Sequence, residues 1–103
     1  MVRAEFERHV DAALAALPAE IAAKLDNVAV VVEDENREEP DLYGLFQEEP
    51  YMPAKVSIYR KPLVEDFGDD LDELEHEIRV TVLHELAHYF GLDEDRLDEL
   101  GYA

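Results

Sequence analysis

The chain has no cysteine and no tryptophan, and serine and threonine occur once each, as Ser57 and Thr81. Without cysteine there is no disulfide framework, no zinc ribbon and no thiol nucleophile. Hydroxyl nucleophiles are almost missing as well. Positive charge is equally scarce: nine lysines and arginines stand against 27 acids, a net charge of −18 on 103 residues. Such a field repels nucleic-acid phosphates and anionic membrane surfaces, attracts cations and basic peptides, and favours a monomer. No apolar run approaches a membrane span. The longest early one, residues 12–17, is too short for a secretory core, so a cytoplasmic setting is expected. Any chemistry falls to carboxylates and the four histidines.

What is present suffices for one small domain, residues 1–103, since apolar residues make up 48% of the chain. Phe6, Val10, Ala13, Leu14 and Leu17 fall at helical spacing, and Pro18 ends that helix or starts a short second turn. The β-branched run Val28–Val32 reads as a buried central strand. Residues 33–41 carry six acids and Pro40 and read as a solvated loop. Residues 42–46 form a short candidate strand whose Gly44 permits close backbone approach. Pro50 and Pro53 bracket a turn. Residues 55–60 alternate as a strand with one wet face, ended by Pro62. The longest helical pattern runs from Asp69 to Phe90, with Leu71, Leu74, Ile78, Val82, Leu86 and Tyr89 on one stripe. Its second half is apolar on most sides, as a buried helix would be. Gly91 suits a left-handed cap, and a short helix over residues 94–100 closes the chain. This order predicts an α+β domain with a small sheet. The acidity also fits salt adaptation, and the scarcity of asparagine and glutamine fits a thermophilic source.

One constellation concentrates the chemistry. His84-Glu85-Leu86-Ala87-His88 is an HExxH sequence inside the longest helical pattern. Residues four apart on a helix sit about 40° apart around the axis, so both imidazoles can reach one cation. Glu85 lies about 60° from His88, where its carboxylate can border the metal without binding it. A general base belongs there, taking a proton from a water activated at the metal. Gly91 lets the chain leave the helix and reverse, carrying Glu94 back as a third ligand. Asp93 and Asp95 beside it are alternatives, and an acid opening a helix also gains from the helix dipole. His76, two turns before His84, reads as a surface or partner-pairing histidine, and His9 has no motif.

The run from Val82 to Leu97 resembles the small bacterial zincin-like metallopeptidase family, a minimal zincin group long described as a domain of unknown function. The strand at residues 28–33, Leu42-Tyr43-Gly44-Leu45-Phe46, Ile58-Tyr59-Arg60 and Leu100-Gly101-Tyr102 are similar too, so the likeness spans nearly the whole chain. The resemblance implies a compact α+β zincin-like fold. In it a mainly three-stranded sheet packs on an N-terminal helix and the HExxH helix. It also implies a Zn2+ site by analogy with the metzincin motif HExxHxxGxx(H/D). Two departures stand out: Glu94 occupies the third-ligand position, and no methionine follows it. The expected activity is hydrolysis of a peptide or protein substrate, with residues 42–46 as candidate edge strand. Tyr43, Tyr59 and Tyr102 are candidate electrophilic helpers. A catalytically weak zinc-binding module that recognises a protein partner is the alternative. Two histidines and a carboxylate are also the facial triad of non-haem iron oxygenases, in which Glu85 would have no special task.

Overall fold

The computed structural model describes residues 1–91 and 94–102, apart from the side chains of His88, Tyr89, Phe90 and Glu94. Helix α1 (Arg3–Ala15) buries Phe6, Val10 and Ala13 at the predicted spacing. Pro18 precedes α2 (Ala19–Lys24), and one 3-10 turn (Leu25–Asn27) leads into β1 (Val28–Glu33). After the acidic loop come β2 (Gly44–Glu49) and β3 (Met52–Tyr59), then α3 (Arg60–Phe67), α4 (Leu71–Phe90) and α5 (Glu94–Glu99). This is the α+β arrangement expected of a small zincin-like fold.

The sheet order is β1-β3-β2, with β1 parallel and β2 antiparallel to β3. β1 is therefore an edge strand, not the central strand its β-branched run suggested. Such a run reports strand propensity and one buried face, and both are satisfied at an edge backed by helices. The centre belongs to β3, whose Val56, Ser57, Ile58 and Tyr59 are all buried although successive side chains point to opposite faces. Its expected wet face is covered. The second correction is α3, which the sequence reading did not anticipate. Pro62 does not stop a strand but sits in the first turn of this helix, where its missing N–H costs nothing.

Helices α1 and α4 cover one face of the sheet. Phe6 and Val10 from α1, Val32, Val56 and Ile58 from the sheet, and Leu74, Ile78, Val82 and Leu86 from α4 form the main core. Each fully buried Phe, Val, Ile or Leu side chain contributes roughly 1.5–3 kcal/mol by removal from water. Leu83, on another side of α4, joins Leu17, Ile21 and Leu97 in a second cluster that fastens α2 and α5. Leu71, the first residue of the predicted stripe, is exposed. Helix α4 starts where Asp70 Oδ1 accepts from the N–H groups of Asp72 and Glu73, at 3.0 and 3.2 Å. It ends at Gly91, left-handed at φ 67°, whose N–H donates to the Ala87 carbonyl.

Candidate metal centre

The HExxH residues lie in the last two turns of α4, which is continuous helix through positions 84, 85 and 88. Leu83 and Leu86 turn into the two cores, and His84 faces solvent on the open side. Over residues 80–87 this helix half is thus buried or half-buried except at His84, in keeping with a pattern that is apolar on most sides. Glu85 is half-buried, and its Oε2 accepts a hydrogen bond from the Phe46 backbone N–H of β2 at 3.1 Å. A carboxylate held by an edge-strand amide has one fixed orientation rather than several. His84 has no hydrogen-bond partner among the described residues.

Close approach of β2 to α4 depends on Gly44. A Cβ there would lie 2.6 Å from Thr81 Cγ2, 3.0 Å from the Ser57 carbonyl oxygen and 3.7 Å from Glu85 Cγ. Thr81 in turn donates its hydroxyl to the Glu77 carbonyl at 2.8 Å and leaves its methyl toward the strand. Above this contact a cavity of ≈ 370 Å³ is lined by Asp41, Tyr43, Gly44, Glu77, Thr81, His84 and Glu85, among others. Three carboxylates and an imidazole around this cavity favour a cation over an anion.

Of the three tyrosines considered as helpers, Tyr43 lines this cavity. Its hydroxyl donates to the Asp66 carboxylate, and its ring lies 5.5 Å from that of Phe67. The bond to Asp66, with partial burial and the neighbouring carboxylates, pushes the phenol up to about 12. Tyr59 is buried, and its oxygen accepts from Asn36 Nδ2 at 3.0 Å. Tyr102 stacks on His76, with ring centroids 5.8 Å apart. His9 pairs with Glu75 at 2.6 Å, joining α1 to α4. The Phe46 amide and Thr81 were not foreseen as parts of the site, because neither residue type carries a chemical signature in sequence.

Among the described residues no group of three metal-binding side chains comes together. The assignments of His88 and Glu94 as ligands fall on side chains outside the described residues, as does that of Asp93. Asp95 is exposed. The described backbone nevertheless fits a metal site of the expected kind. Positions 84 and 88 are one turn apart on an unbroken helix, and the left-handed Gly91 releases the chain. Beyond it, Leu97 packs with Leu83, and Tyr102 stacks on His76, so the segment opening at Glu94 runs back along α4. The residue types that the sequence puts at positions 84, 88 and 94, two histidines and a glutamate, are those of a zinc donor set.

An acid-lined cavity thus lies between the HExxH helix and the edge strand of a small sheet. The chain belongs to the zincin-like metallopeptidase family, whose model matches residues 25–102. No curated protein sequence matches it.

Proposed function

We propose that the chain is a zinc-dependent peptidase, with His84, His88 and Glu94 as metal ligands and Glu85 as general base. The observation that carries this reading is the Glu85 carboxylate, tied to the Phe46 amide of β2 within the cavity that His84 also lines. Zinc there would supply Lewis acidity, polarising the scissile carbonyl and acidifying the attacking water. Glu85 accepts the proton of that water as the new C–O bond forms, then delivers it to the leaving nitrogen as the C–N bond breaks. The Phe46 N–H keeps the carboxylate facing the cavity throughout. The substrate peptide lies extended along the outer edge of β2. Tyr43 stands at the same wall with a hydroxyl that stays protonated across the working pH range.

The test is zinc content together with cleavage of an unstructured peptide library, on protein purified without added metal. Stoichiometric zinc and cleavage are expected. Glu85→Gln should keep the zinc and lose activity by about 10²–10⁴-fold, the usual contribution of a general base. His84→Ala should lose tight zinc, and Glu94→Gln should weaken it by roughly tenfold or more, whereas Asp93→Asn and Asp95→Asn should not. Zinc-loaded protein that cleaves nothing, yet unfolds on chelation, would reduce the chain to a metal-binding module. Stoichiometric iron would point instead to oxygenase chemistry.

A further inference from the structure

Strand β1 leaves its outer backbone groups open beside a groove, on the side of the sheet opposite β2. The Tyr59 N–H donates to the Tyr43 carbonyl, so odd-numbered residues of β3 direct their backbone groups to β2 and even-numbered ones to β1. In the parallel pairing of Val30 with Val56, the bonds then run to Ala29 and Val31 of β1. Val28, Val30 and Val32 therefore direct their backbone N–H and carbonyl groups away from β3. The Val28 N–H is satisfied by the Leu25 carbonyl, and the Val32 carbonyl accepts from the Arg3 guanidinium. Both backbone groups of Val30 and the Val32 N–H have no partner among the described residues. An edge in this state is a template for another strand.

The groove along this edge measures ≈ 360 Å³, and its second wall is α1. Half-buried Leu14 provides apolar surface over the buried Val10, and Glu7 and Asp11 provide negative charge. Arg3 is already engaged by Glu7 and by the Val32 carbonyl. This wall lies ahead of the family-matched residues 25–102, so it is not supplied by the segment that defines the family.

We propose that the α1–β1 groove is a docking site, separate from the metal centre, for an extended basic segment of a partner protein, which adds to the sheet beside β1. Backbone bonds to Val30 and Val32 supply the pairing. Lysine or arginine stems on the α1 side cover Leu14 while their heads reach Glu7 and Asp11. On the other face small or β-branched residues lie beside Val31. A second copy of this chain is disfavoured as occupant, because two molecules of charge −18 repel.

The test uses the full chain as purified, without chelator, titrated with the blocked hexapeptide KVKVKV and with its counterpart EVEVEV, each checked by mass spectrometry to be intact. Amide spectra should show the basic peptide shifting Val30 and Val32, with Val30 exchange slowed by about tenfold or more, and the acidic peptide doing neither. Asp11→Lys, alone and with Glu7→Lys, should weaken binding by roughly tenfold while leaving the circular dichroism unchanged. Added salt should also weaken it. Shifts confined to Gly44 and Phe46, equal binding of both peptides, or no binding would overturn the proposal. So would a concentration-dependent dimer that protects Val30 without peptide. None of these outcomes bears on zinc binding or cleavage, so the two proposals stand or fall separately.

Discussion

Adding a single methyl group at Gly44 tests the contact that brings strand and helix together. An alanine Cβ would meet Thr81 Cγ2 at 2.6 Å and the Ser57 carbonyl oxygen at 3.0 Å, both tighter than normal contact. The backbone there is not left-handed, so the cost is one of overpacking alone. Gly44→Ala should destabilise by about 1–3 kcal/mol. At about 4–8 °C per kcal/mol for a domain near this size, the fall in Tm is easily read. Thr81→Ser removes the clashing methyl but keeps the hydroxyl bond to the Glu77 carbonyl. Alone it should cost about 0.8 kcal/mol, the worth of one buried methylene-sized group. In the Gly44→Ala background it should instead recover stability, in part, since the Ser57 contact persists. Urea unfolding of the four proteins measures the coupling, which should be about 1 kcal/mol or more, against the 0.3–0.5 kcal/mol scatter of roughly additive sites. Additive effects, or a Gly44→Ala cost under about 0.5 kcal/mol, would refute the close-approach reasoning. The same displacement of β2 should lengthen the 3.1 Å bond between the Phe46 amide and Glu85.

Two further outcomes follow from local chemistry. Asp70→Ala removes the acceptor of two N–H groups at the start of α4 and should cost about 0.5–2 kcal/mol in urea unfolding, with Asp70→Asn close to wild type. The Tyr43 phenol is raised to about 12 from 10.0, so between those values the folded chain holds a proton that the unfolded chain has lost. Its contribution is therefore complete below pH 10 and fades as pH rises to about 12; Tyr43→Phe should flatten that alkaline decline in thermal melts, and an unchanged slope would contradict the assignment.

Much of this protein was legible from its residues alone. The 3.6-residue periodicity specified both α1 and α4 and most of the faces they bury, Phe6, Val10 and Ala13 on one and Leu74, Ile78, Val82 and Leu86 on the other. Leu71, however, is exposed, and Leu17 lies beyond α1. Gly91 announced the end of α4 through the orphan backbone groups that a helix leaves at its terminus, whereas the start, expected at Asp69, falls at Leu71 behind the Asp70 cap. The HExxH spacing named the candidate chemistry, since two imidazoles four residues apart need only a helix to converge. Position within the sheet was another matter. The run Val28–Val32 and the alternating segment 55–60 both read as strands, but order depends on which elements cover which face. The tertiary structure alone made β3 central and left β1 an edge. Helix α3 escaped notice because Pro62 is compatible with a strand end and a helix start alike. The partner of Glu85 is a backbone amide that every residue but proline carries, and it lies 39 positions away in the chain. No side-chain identity encodes that bond; it exists only because Gly44 has no Cβ to hold β2 away from α4.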